Sequence, residues 1–172
     1  MRRTVRIAAG IIGAAVITTV AVSCGDDDIT GTTNPRYVAN LIAANEGSNP
    51  PITSAGSGVV TFEDKGDLIT WSMTLTNMTN VTVSHIHLGN AAAVGQTAGP
   101  VIINLFLPNR SPGNEIGTVN GLVAEGTITN ANSPTVKLDS LRVLFNNGNA
   151  YANVHTAANP GGEIRDQIRP VN

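Results

Sequence analysis

The stretch "GSGVVTFEDKGDLITWSMTLT", residues 56–76, decides the fold class. Two runs rich in Val, Ile, Thr, Phe and Trp flank "KGD", a hairpin-length connection containing Gly66. β-Branched and aromatic residues suit a pleated, half-buried surface and lose rotamer freedom in a helix. Trp71 alternates with Ile69 and Met73, which places it in a core rather than on a ligand platform.

Similar runs continue in both directions. "RYVANLIAA" precedes the hairpin, separated from it by "NEGSNPPITS", where Pro50 and Pro51 forbid regular pairing. "VTVSHIHLG", "VIINLFL", "GLVAEGTIT", "NAYANVHT" and "EIRDQIRPV" follow, divided by "NAAAVGQTAGP", "PNRSPGNE" and "AANPGG". One short helix is expected within residues 130–148. Ser133 is placed to cap it, Pro134 suits its first position, and leucines recur at 138, 141 and 144. Seven or eight strands at this spacing predict an all-β, antiparallel Greek-key sandwich or barrel.

The first residues read differently. "MRRTVR" is a basic start, "IAAGIIGAAVITTVAV" an apolar run, and "AVSC" sets small residues before Cys24, the only cysteine. Residues 1–23 are read as a signal peptide, 24–35 as a polar, acidic tether and 36–172 as the folded domain. The Cys24 setting resembles the lipobox of bacterial lipoproteins, with Ala21 where Leu is usual. That resemblance implies lipidation of Cys24, membrane anchoring and an extracytoplasmic location. Simple cleavage of the leader and an uncleaved anchor helix are the alternatives. A single cysteine excludes an intrachain disulfide. From Cys24 onward the chain carries 7 basic and 12 acidic residues, a net −5 obtained by removing Arg2, Arg3 and Arg6 from the 10 basic residues. No basic stripe is visible, which argues against nucleic acid as a partner.

His85 and His87 stand two apart on an expected strand, so their rings project from one face, with Ile86 on the other. Two imidazoles at that spacing reach one ion. His155, on a later strand, supplies a third nitrogen if that strand lies beside the first. Imidazole suits copper and zinc, and this segment has no carboxylates for a harder ion. The plainer alternative is a pair of polar residues on the solvent face. Glu163 and Arg165, also i and i+2, are expected to pair and fix the "NPGG" turn. Ser84, His85 and Asp139 make a hydrolase triad only on paper, since no nucleophile-elbow motif is present.

Taken together, "ANLIAANEGSNPPITSAGSGVVTF", "SHIHLG", "GPVIINLF" and "NAYANVHTAANPGGEIRDQI" resemble the CHRD domain, over roughly residues 36–169. The chain departs from that pattern at "GSNPP" and at Asp166. The resemblance implies an exported β domain acting as a non-catalytic binding or structural module at the cell envelope. A weaker resemblance is to the scaffold of copper/zinc superoxide dismutases. It rests on His85-Ile86-His87, Ala98-Gly99-Pro100, Val154-His155 and Arg165 in that order, with no counterpart of a bridging histidine or zinc cluster. It implies, as the alternative function, copper binding through His85, His87 and His155 for metal capture or redox defence. A dismutase activity is the most distant reading.

Overall fold

The computed structural model describes residues 33–48, 50–90, 98–106 and 117–171. The signal-peptide reading, the lipidation of Cys24 and all but the last three residues of the tether concern residues outside these. Among the described residues nine strands form one antiparallel sheet: β1 (Arg36–Ile42), β2 (Ser57–Asp64), β3 (Ile69–Met78), β4 (Val81–Leu88), β5 (Val101–Phe106), β6 (Val119–Ile128), β7 (Ala150–Thr156), β8 (Ile164–Gln167) and β9 (Arg169–Pro170). One helix, α1 (Leu138–Asn146), joins β6 to β7, and a turn of 3-10 helix (Ala43–Asn45) follows β1. The strand order is β5-β4-β7-β8-β1-β2-β3-β6, with β9 on β1. The end strands β5 and β6 approach each other, so the sheet curls into a nearly closed barrel.

The hairpin that set the fold class is in register from Ser57↔Thr76 to Asp64↔Ile69. Its connection is Lys65–Leu68, closed by Lys65 N–H donating to Leu68 O at 2.8 Å. Gly66 has φ +90°, a region costly for other residues, and its N–H donates to Asp64 Oδ1. Ile69, Trp71, Met73 and Leu75 alternate into the core, opposite Val60 and Phe62. Tyr37, Ala39 and Leu41 of β1 and Val154 and Ile164 further round complete the apolar filling.

The helix begins later than its sequence signals suggest. Ser133 Oγ donates to Val136 O at 2.5 Å, tying residues 133–136 into a turn of their own. The first helical N–H instead reaches Asn130 Oδ1, from Leu138 at 2.9 Å. The buried stripe is Leu138, Leu141 and Phe145, with Leu144 only partly covered. Phe145 fits between Tyr37 and Phe62, at ring-centre distances of 5.2 and 5.0 Å. Arg142 clamps the helix to the hairpin turn, donating from Nε to Asp64 Oδ2 at 2.6 Å and from Nη2 to Asp64 Oδ1 at 2.9 Å. These bonds hold the Asp64 carboxyl below its ordinary range. Among the described residues no helix is long and apolar enough to cross a membrane.

Candidate metal centre

Strand order now bears on the histidines. β7 lies directly beside β4, antiparallel, with His87↔Tyr151, His85↔Asn153 and Val83↔His155 opposed. Tyr151, Asn153 and His155 therefore share the face of His85 and His87, while Ile86, Ala152 and Val154 point into the core. One nitrogen from each of His85, His87 and His155 lies within 4.8 Å of those from the other two. The face is the outer one. It is covered by Gly99 from the loop before β5, by Pro160 from the turn before β8, and by the 3-10 turn after β1.

Hydrogen bonds define which nitrogens are available. His87 Nδ1 sits 2.6 Å from Gly99 O, and a carbonyl can only accept, so Nδ1 carries the proton and Nε2 a bare lone pair. His155 Nδ1 likewise donates to Pro160 O at 2.9 Å, leaving Nε2 unprotonated. That Nε2 is 3.2 Å from His85 Nδ1, whose N–H is then the donor between the two rings. Burial pushes both His87 and His155 below the ordinary imidazole value, so both are neutral at neutral pH. A backbone carbonyl behind each of two converging rings fixes tautomer and orientation, as outer partners of metal-bound imidazoles do.

Tyr151 stacks on His87, with ring centres 5.0 Å apart and planes within 7°. Its hydroxyl accepts from Gly99 N–H at 3.0 Å, so one residue holds both rings. A Cβ at Gly99 would overlap the carbonyl oxygen of Leu88, and only glycine permits this approach.

The expected Glu163–Arg165 pair gives way to other partners. Arg165 Nε donates to Asn45 O at 2.5 Å, and its charge faces Glu46 Oε2 at 3.8 Å. Its guanidinium also lies over Tyr151, 5.4 Å from the ring centre. Burial pushes the Glu46 carboxyl up to about 7 against the opposing pull of Arg165. Glu163 receives three neutral donors instead: Ser54 Oγ at 2.6 Å, Thr156 Oγ1 at 2.6 Å and Asn159 Nδ2 at 3.0 Å. Burial works to raise its pKa, and these bonds together outweigh it, so Glu163 remains ionised and pins the turn. Sequence reading anticipated the pinned turn but assigned it the wrong bond. Of the paper triad, Ser84 is buried and donates to Asn153 O at 2.8 Å, on the face away from the histidines.

Glu46, Gly99, Tyr151 and Asn153 escaped sequence reading. The Ala98-Gly99-Pro100 run was the one available signal, and it marked a position without revealing its role.

The architecture is thus that of a nearly closed antiparallel barrel bearing a layer of histidines under its loops. The chain belongs to the CHRD domain family, whose model matches residues 37–168. No curated protein matches it.

Proposed function

We propose that this CHRD domain is a binding module whose ligand is a copper ion, held by His85, His87 and His155. In this reading it acts at the cell envelope, exported and anchored through a lipidated Cys24. Family membership suggests a binding or structural module. The observation that favours a metal within that class is the convergence of three imidazole nitrogens within 4.8 Å. Ligand bonds of about 2.0–2.1 Å require the nitrogens to close to about 4 Å or less. Small rotations of the three rings would provide that movement. An all-nitrogen set lacking a carboxylate selects a borderline ion such as copper or zinc over calcium or magnesium. We take the role to be capture, in keeping with the binding or structural module that family membership suggests.

The test is Cu(II) titration of the full-length protein with electron paramagnetic resonance. One equivalent is expected to bind with a nitrogen-rich signature that His87→Ala abolishes. Affinity no tighter than that of the His85, His87 and His155 triple-alanine variant would end the proposal. Copper-loaded protein that consumes superoxide would replace capture with catalysis.

A further inference from the structure

The buried side-chain atoms without a hydrogen-bond partner are Glu46 Oε1, His87 Nε2, Asn153 Oδ1 and Arg165 Nη2 among the described residues. All four belong to the layer just described, and two of them are on the face of the three histidines. Asn153 lies opposite His85 on β7, two residues before His155, so its side chain rises among the three imidazoles. It interacts with His87, yet neither His87 Nε2 nor Asn153 Oδ1 has a hydrogen-bond partner of good geometry. With the His87 proton on Nδ1 toward Gly99 O, Nε2 is left as an acceptor, as Asn153 Oδ1 is. Both residues are buried, His87 at 4% exposure and Asn153 at 1%.

The other end of the Asn153 amide lies toward Gly162 and Glu46. Asn153 Nδ2 and both Glu46 carboxylate oxygens lie within 2.9 Å of one point, the place a Gly162 Cβ would fill. The amide nitrogen and the carboxylate thus both border Gly162. Two buried acceptors on one face cost free energy unless something positive satisfies them.

We infer that Asn153 Oδ1 is the fourth donor of the metal centre, giving a set of three imidazole nitrogens and one amide oxygen around the ion. This rests on the metal-binding reading above. Asn153 lies on the same face as the three histidines, and a four-donor set of this kind is compatible with copper or zinc. The neutral amide oxygen adds no charge to the site, which distinguishes it from a carboxylate-completed centre.

The experiment compares full-length wild type, Asn153→Leu, Glu46→Gln, and Asn153→Asp combined with Glu46→Gln, using Cu(II) in competition with a chelator and by electron paramagnetic resonance. Asn153→Leu is expected to lose about 10–100-fold in affinity, with a changed spectrum, while the three imidazoles still bind. Asn153→Asp returns an oxygen to the same place, and, combined with Glu46→Gln to remove the carboxyl near its second oxygen, is expected to bind at least as tightly as Glu46→Gln alone. In the unmodified, ¹⁵N-labelled protein, Zn(II) as a diamagnetic probe is expected to shift the Asn153 side-chain amide signals at one equivalent. Equal affinity and spectrum in wild type and Asn153→Leu, or an unmoved Asn153 amide in zinc-loaded protein, would overturn the inference while leaving the three-histidine site intact. Wild type binding no better than the triple-alanine variant would overturn both.

Discussion

Gly99→Ala is the substitution that most directly probes how the histidine layer is held. The added methyl would overlap the Leu88 carbonyl oxygen, which belongs to β4 and cannot yield without disturbing the strand bearing His85 and His87. The loop must therefore withdraw. Two bonds are then lost, from His87 Nδ1–H to Gly99 O at 2.6 Å and from Gly99 N–H to Tyr151 Oη at 3.0 Å. At about 1 kcal/mol net for each bond the domain loses about 2 kcal/mol. For a domain of this size that lowers the melting temperature by roughly 6–10 °C. The larger consequence is chemical. Without Gly99 O, His87 is no longer held in the tautomer that bares Nε2, and loss of such an outer partner lowers metal affinity by about 10–100-fold. Gly161→Ala is the control, since a Cβ there meets nothing within 4 Å and its φ is not positive. It is expected to change stability by less than about 0.5 kcal/mol. Thermal melts of the three proteins and Cu(II) titration against a competing chelator measure both effects. A Gly99→Ala protein that melts and binds copper like Gly161→Ala would refute the clasp and the tautomer argument built on it.

Two further outcomes are expected. Glu46, ordinarily near 4.5, sits at about 7 in the folded protein, because burial outweighs Arg165. The fold therefore binds a proton more tightly than the unfolded chain, and this contribution is complete below pH about 4.5 and is lost as pH rises through about 7. Relative to Glu46→Gln, wild type should lose about 3 kcal/mol between pH 4.5 and pH 9, measured by urea denaturation; parallel curves for the two proteins would show that Glu46 does not titrate in the fold. Cys24→Ala should shift the protein from the membrane pellet to the soluble fraction of its host, and unchanged membrane association would exclude the lipid anchor.

How much of this was legible in the sequence depended on whether a signal was local. The hairpin of β2 and β3 was, because alternation and a glycine turn are properties of adjacent residues. The shared face of His85 and His87 was legible for the same reason. Their meeting with His155 was not, since it depends on β7 lying beside β4 rather than at another place in a nine-strand order. The late start of α1 was hidden because Ser133 and Pro134 carry strong start signals, and only the structure shows Ser133 spending its hydroxyl on Val136 O. "RYVANLIAA" looked like one strand, yet its last residues turn into the 3-10 helix that delivers Glu46 to Arg165. That partner, 119 positions away, is what displaced the Glu163–Arg165 pair expected from spacing.

The division of the barrel into two faces also explains why a polar centre is tolerated here. The inward face of β4, β7 and β8 carries Ile86, Ala152, Val154 and Ile164, all fully buried in apolar surroundings, and the cohesion of the sheet comes from that side. The histidine layer lies on the opposite side, supported by individual hydrogen bonds from loops. A polar group there is paid for one bond at a time, so its loss costs on the order of 1–3 kcal/mol rather than a share of the core. Substitutions at His85, His87, Asn153 or His155 should consequently leave a folded barrel, and a changed affinity for copper in such variants reports on the site itself.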